Sequence, residues 1–136
     1  MRIVVDTNVL VSGLLSPFGP PGTVVGLIAA SRLSLCYDAR ILAEYAEVLR
    51  RPRFPFSEED VSALLLQVEA GGELTFAAPT PIRLPDPADE PFLEVAVASM
   101  VDYLVTGNVR HFPDSARQGV RIVSPREFVD TGLRPG

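Results

Sequence analysis

Ile3, Val4 and Val5 make an apolar run that stops abruptly at Asp6. β-Branched residues without polar alternation suit a strand buried on both faces, as in the middle of a parallel sheet. The period then changes. Val9 to Leu15 predicts a short helix and Ser16 to Gly22 a connection rich in proline and glycine. Val24, Val25, Leu27, Ile28 and Ala29 predict a second helix ending near Arg32, and Leu33 to Tyr37 a second strand. Asp38 is placed to cap the next helix, whose apolar face is Ile41, Leu42, Tyr45, Val48 and Leu49 and which Pro52 ends. Ser57 with Glu58 to Asp60 opens another helix, because a capping hydroxyl and early acids complement the amino-terminal dipole; it runs to Gly71 and Gly72. Leu74 to Ala77 is expected to be extended, and Pro79 to Pro91 to be a loop carrying Asp86, Asp89 and Glu90. A helix from about Phe92 to Val101, a strand at Tyr103 to Val105, a loop from Thr106 to Gly119, a strand at Arg121 to Val123 and a helix at Pro125 to Val129 complete the chain. No internal repeat or low-complexity segment interrupts this alternation, which predicts an α/β fold: a mostly parallel sheet with helices on both faces.

Length changes this picture little, since 136 residues suit one domain with a real core, spanning 1–136. Hydrophobic residues make up 47% of the chain, yet no stretch approaches the roughly 18 uninterrupted apolar residues that cross a bilayer. The amino terminus reads as a strand rather than as a charged region before a long apolar segment, so no secretory signal and no membrane partner are expected, and a cytoplasmic protein is. Cys36, the sole cysteine, lies in the apolar run around Leu35 and Tyr37, which predicts a buried, inert thiol. All 12 basic residues are arginine, which removes any mechanism that needs a lysine. A net charge of −5 argues against broad, nonspecific affinity for nucleic acid but leaves room for a local acidic site with arginines around its rim.

Three separated acids carry the candidate chemistry. Asp6 falls at the carboxyl end of the first strand, the edge where open α/β sheets bind ligands; its plainer role is to cap the helix starting near Asn8. At about 100° per residue Glu44 lies at the border of its helix's apolar face whereas Glu47 points away. Glu44 then either has a partner or reaches water past a packed stem. Asp89 shares a side with Phe92, Leu93 and Ala96 if the helix reaches back, although Pro91 leaves Asp89 or Glu90 as alternative caps. Asp86, in Pro85-Asp86-Pro87, is a turn former unless it lies near the others. Carboxylates that converge repel one another unless protonated or bound to cations, so such a cluster implies divalent metal. Oxygen ligands favour Mg²⁺ or Mn²⁺, ions suited to phosphodiester cleavage without a histidine or cysteine nucleophile.

The order and context of Val4-Val5-Asp6-Thr7-Asn8, Leu42-Ala43-Glu44-Tyr45, Asp86-Pro87-Ala88-Asp89-Glu90 and Asp102-Tyr103-Leu104-Val105-Thr106-Gly107-Asn108 resemble a PIN-domain ribonuclease, with the nearest similarity to the PilT-like PIN toxins of bacterial toxin–antitoxin systems. The resemblance covers nearly the whole chain, and the set is specific although no single motif is. It implies a three-layer α/β/α fold around a sheet of four to five strands. It further implies Asp6, Glu44 and Asp89 as catalytic ligands of Mg²⁺ or Mn²⁺, with Thr7, Asn8, Thr106 and Asn108 as supporting polar groups. Many relatives carry a fourth acid where this chain has Asn108; an amide ligates through oxygen but adds no charge, so a second metal is expected to bind more weakly unless Asp86 compensates. An RNA substrate, a homodimer and an antitoxin that occludes the site, often by lending it a basic residue, are likewise implied.

The remaining polar residues admit two readings each. Thr106 and Asn108 could hold water or phosphate, or form an ordinary Gly-Asn turn. His111 could touch RNA, or be a lightly packed surface residue. Arg50, Arg51 and Arg53 could bind phosphate or complement the end of the Glu44 helix. Two other function classes stand beside the ribonuclease. A phosphatase-like enzyme with an Asp on strand one is disfavoured by the missing lysine, and a noncatalytic PIN-type interaction module is suggested by Asn108. No sequence element discriminates a 2′-hydroxyl, so DNA remains open as a substrate.

Overall fold

The computed structural model describes residues 1–133, so the last three positions of the expected 1–136 domain lie outside the described residues. The described residues form five strands: β1 Arg2–Val5, β2 Ser34–Tyr37, β3 Glu73–Leu74, β4 Tyr103–Val105 and β5 Ile122–Val123. They form one sheet in the order β3-β2-β1-β4-β5, and every pairing is parallel. Ile3, Val4 and Val5 have no solvent exposure, as a central strand covered on both faces requires. β1 pairs with β2 through Arg2 and Ser34 and with β4 through Ile3 and Tyr103, Val4 and Leu104, and Val5 and Val105. The chain therefore moves outward from β1 to β3 and then returns to lay β4 on the other side of β1. The reversal creates a switch point between the carboxyl ends of β1 and β4.

Among the described residues six helices accompany the sheet: α1 Thr7–Leu15, α2 Pro20–Ala29, α3 Ala39–Leu49, α4 Glu58–Gly71, α5 Glu90–Ser99 and α6 Pro125–Glu127, the last continued by a wider turn at Phe128–Gly132. Right-handed crossovers put α1 to α4 on one face and α5 on the other, giving three layers. α5 packs directly on β1, β2 and β4 through Phe92, Leu93, Val95 and Ala96, all buried. The predicted caps form: Asp38 accepts from the Ile41 N–H at 3.0 Å and Ser57 from the Asp60 N–H at 3.1 Å. Cys36 is buried. No single described helix is long and apolar enough to cross a membrane.

Several boundaries differ from the pattern. α2 begins at Pro20 rather than after Gly22, because prolines at the first helical positions are preorganised and lose no needed hydrogen bond. There α2 crosses α1 so closely that a Cβ on Gly13 would stand 2.5 Å from Val25 Cγ2. α5 begins at Glu90, two residues before Phe92, since a short 3-10 turn at Pro87–Asp89 feeds it and Glu90 takes helical dihedrals despite preceding Pro91. Of the expected extended stretch Leu74 to Ala77, only Leu74 belongs to a strand; beyond it Thr75 N–H still donates to the Tyr37 carbonyl at 2.7 Å. The Thr106 to Gly119 loop holds two 3-10 turns, Val109–His111 and Asp114–Ala116.

Candidate active site

Asp6 is the first residue beyond β1 and is only 6% exposed. It occupies the amino-terminal cap position of α1, yet its carboxylate caps nothing there. Its Oδ2 instead accepts from the Thr106 hydroxyl at 2.8 Å, and its N–H donates to the Val105 carbonyl at 2.9 Å, tying β1 to β4 across the switch point. The Thr106 oxygen, fully buried, in turn accepts from the Asn108 N–H at 3.0 Å. The Asn8 amide oxygen accepts from Gly107 N–H at 3.1 Å, while its Nδ2 approaches Asp6 Oδ2 at 3.4 Å. Thr106 and the Asp6-Thr7-Asn8 turn thus brace each other, which is why capping does not claim the Asp6 carboxylate.

α3 brings the second acid from the neighbouring edge. Glu44 is half-buried and accepts a hydrogen bond from the Thr7 hydroxyl, whereas Glu47 on the outer side pairs with Arg51 at 2.9 Å. The adjacent Tyr45 is fully buried, and its hydroxyl donates to the Val5 carbonyl, fixing the strand residue that precedes Asp6. Asp89 arrives from the 3-10 turn and is 7% exposed. Its side chain caps no helix either; its Oδ2 lies 3.2 Å from His111 Nδ1. Glu90 is turned away to accept from the Leu84 N–H at 2.9 Å, and Asp86 caps the Ala88 N–H at 2.9 Å. Single donor atoms of Asp86, Asp89 and His111 lie within 4.8 Å of one another. Asp6 and Glu44 stand outside that tight set, next to it.

The charges around Asp6 and Asp89 bear on their proton affinities. Burial pushes the Asp6 carboxyl up to about 6, against the opposing Thr106 hydrogen bond, and the charges of Asp89 and Glu44 add to the rise. The Asp89 carboxyl is also raised, first by burial and then by Asp86, with His111 and its hydrogen bond pulling the other way. No arginine relieves this repulsion. Among the described residues the guanidinium groups pair with Glu73, Asp38, Glu94, Glu58, Glu47 and Asp114, and none pairs with Asp6, Glu44, Asp86 or Asp89. Buried carboxylates without an arginine beside them, presenting oxygen donors and one imidazole, fit a divalent cation.

The three arginines of the expected basic cluster are not gathered at these acids. Arg50 grips Glu58 through two nitrogens at 2.9–3.1 Å, Arg51 holds Glu47, and Arg53 lies over the Phe54 ring at 4.9 Å. Arg50 also lies six residues beyond Glu44, about 9 Å along the helix axis. His111 is exposed, as a surface residue would be, but its ring is bonded to Asp89 rather than loose. Two features were not read from the sequence. Arg40 bridges Asp38 and the buried Glu94 at 2.7 Å each, clamping the start of α3 to α5, and Glu94 also accepts from Thr80 N–H at 3.0 Å. The contact of His111 with Asp89 spans 22 positions, and nothing local in either segment announces it.

No curated protein matches the chain. A family model described as "PIN domain" matches residues 2–110, which takes in Asp6, Glu44, Asp86, Asp89 and Asn108 and stops one residue short of His111. With that match covering well over half its length, and a five-stranded parallel sheet with Asp6 at its switch point, the chain belongs to the PIN-domain family.

Proposed function

We propose that this PIN-domain protein is a metal-dependent endoribonuclease that hydrolyses single-stranded or looped RNA, and that it is the toxin of a toxin–antitoxin pair. PIN domains are generally nucleases that bind divalent metal. What supports the reading is that Asp6 and Asp89 are both buried, that the Glu44 charge bears on each of them, and that among the described residues none of the three is paired with an arginine. Asp6, Glu44 and Asp89 would hold Mg²⁺ or Mn²⁺, with Asp86 and Asn108 beside them. Ions so bound supply Lewis-acid stabilisation of charge on the phosphodiester and make water acidic enough to attack near neutral pH.

The chain's own residues do the positioning. Thr106 and Asn8 hold the Asp6 carboxylate, Thr7 holds that of Glu44, and His111 that of Asp89, so each ligand reaches the site with one oxygen already oriented. Tyr45 sets the height of Asp6 through the Val5 carbonyl. Asn108 is exposed beside Thr106, where an RNA backbone could reach it. The acidic site itself favours a protein inhibitor that contributes a cationic side chain, which supports an antitoxin partner. A homodimer and a cytoplasmic location complete the reading. Of the apolar residues on α4, Val61, Leu64, Leu65 and Val68 are buried inside the protein while Leu66 is 66% exposed, so Leu66 is what that helix offers a second copy.

Cleavage of a mixed RNA pool by purified protein with Mn²⁺, beside an Asp6→Asn, Glu44→Gln double variant, tests the activity. Fragments from the wild type and none from the variant are expected. Identical behaviour of the two would remove the enzymatic reading and leave the noncatalytic scaffold.

A further inference from the structure

The parallel strands β1, β4 and β5 end at one edge of the sheet, and residues just beyond them, Asn8, Gly107 and Ser124, line a cavity of about 300 Å³. Asn8 joins this cavity to the acids, since its Nδ2 stands 3.4 Å from Asp6 Oδ2 while its Oδ1 accepts from Gly107 N–H. The other walls are largely apolar: Pro20 and Pro21 close the cavity from the start of α2, and the buried Pro125 from α6. Proline rings present apolar faces on which a base can lie, the Ser12 and Ser124 hydroxyls offer hydrogen bonds to its edge, and the volume is at the small end for ligand pockets, which suits one base. Charge points the same way. RNA binding draws on cations, and with a net charge of −5 their placement matters. Arg126 lines the cavity, is exposed, and has no acidic partner among the described residues. An adjoining hollow shares Gly107 with the cavity and is lined by Arg110, likewise exposed and without an acidic partner among the described residues. Arg50, Arg51 and Arg53, by contrast, are engaged on Glu58, Glu47 and Phe54. Ser124, Pro125 and Arg126 also fall outside residues 2–110, the span of the family match.

We propose that this cavity is the subsite for one unstacked base of the substrate strand, next to the phosphodiester that meets Asp6, with Arg126 and Arg110 taking the flanking phosphates. A base inside a duplex is paired and stacked, so neither its faces nor its pairing edge can enter such a cavity; the subsite therefore selects single-stranded or looped RNA. Holding the base also fixes the register of the strand over the acids, a positioning task that the carboxylates do not perform. The planar guanidinium fork suits the phosphates on either side. The inference deepens the nuclease reading and rests on it for the strand that presents the base.

Titration of the full chain with each common ribonucleoside 5′-monophosphate to millimolar concentration, in the presence of a chelator and followed by amide nitrogen–proton correlation spectra, reads the cavity without turnover. Saturable shifts at Ser12, Gly107, Ser124 and Arg126 are expected with at least one nucleotide, and not with ribose 5-phosphate, which lacks the base. Arg126→Ala should weaken that binding by about tenfold, and Arg126→Lys, which keeps the charge, should recover part of it. Ser12→Phe places a ring in the cavity from an exposed position on α1 and should abolish the shifts while its circular dichroism stays that of the wild type. With Mn²⁺, Ser12→Phe and Arg126→Ala should each slow cleavage of single-stranded RNA by roughly tenfold or more. Absence of saturable shifts with every nucleotide in the wild type, or shifts unchanged in both Ser12→Phe and Arg126→Ala, would overturn the proposal. A protein that binds a nucleotide in the cavity yet cleaves no RNA would cost the nuclease reading alone. RNA cleavage at the wild-type rate by both variants would cost this inference alone.

Discussion

A carboxylate behaves according to what surrounds it, and Asp6 shows how far that reaches. In the unfolded chain it titrates near 3.8, whereas in the folded chain burial raises it to about 6. A group whose folded value is raised favours the fold fully below its unfolded value and loses that contribution as pH climbs through the folded one. The metal-free protein should therefore become more stable as pH falls from 7 toward 4, with most of the gain between about 6 and 4 and on the order of 2 kcal/mol from Asp6. Asp89 shifts in the same direction. Urea melts in the presence of a chelator across that range check this, and flat stability would contradict it. With Mn²⁺ present the trend should reverse, because ligation needs the ionised form. Thr106→Val, which keeps the shape but removes the donor to Asp6 and the acceptor of the Asn108 N–H, should lower RNA cleavage by roughly tenfold or more, as loss of an orienting partner does, and cost about 1–2 kcal/mol of stability. Cleavage assays paired with thermal melts separate the two effects.

At the scale of elements, helices hold the candidate acids by contacts remote from the acids themselves. Tyr45→Phe strips the Val5 carbonyl of a buried hydrogen bond and should cost about 1–2 kcal/mol in urea denaturation. Arg40→Met leaves Glu94, only 5% exposed, without its cation and frees α3 from α5; a loss of about 3 kcal/mol is expected, less where water reaches the half-exposed side of the pair. The predicted period of α3 was enough to separate Glu44 from Glu47, because a helix converts position into direction. The start of α5 was not legible in the same way. Pro91 suggested a break, but the preceding 3-10 turn carries the chain smoothly into the helix, and that turn exists because Asp86 caps it. The choice between caps and ligands for Asp89 and Glu90 thus turned on Leu84, whose N–H captures Glu90.

For the molecule as a whole, bound metal should act as a stabiliser. A ligand at a hundredfold excess over its dissociation constant adds about 2.7 kcal/mol, so Mn²⁺ should raise the melting temperature by several degrees and Asp6→Asn should abolish most of the shift. A differential scanning fluorimetry series with and without chelator decides it. The alternation of buried strand and amphipathic helix, the caps at Asp38 and Ser57 and the position of Asp6 at a strand end were all determined by the sequence alone, because each depends on neighbours within a few residues. The strand order was not, since it depends on which edges pair, and β4 lies about a hundred positions from β1. That long return laid Thr106 against Asp6, carried His111 over Asp89, and left Arg50 and Arg51 with partners of their own. Local periodicity fixes which way a side chain faces along its own element; only the closed sheet decides which distant side chain it meets there.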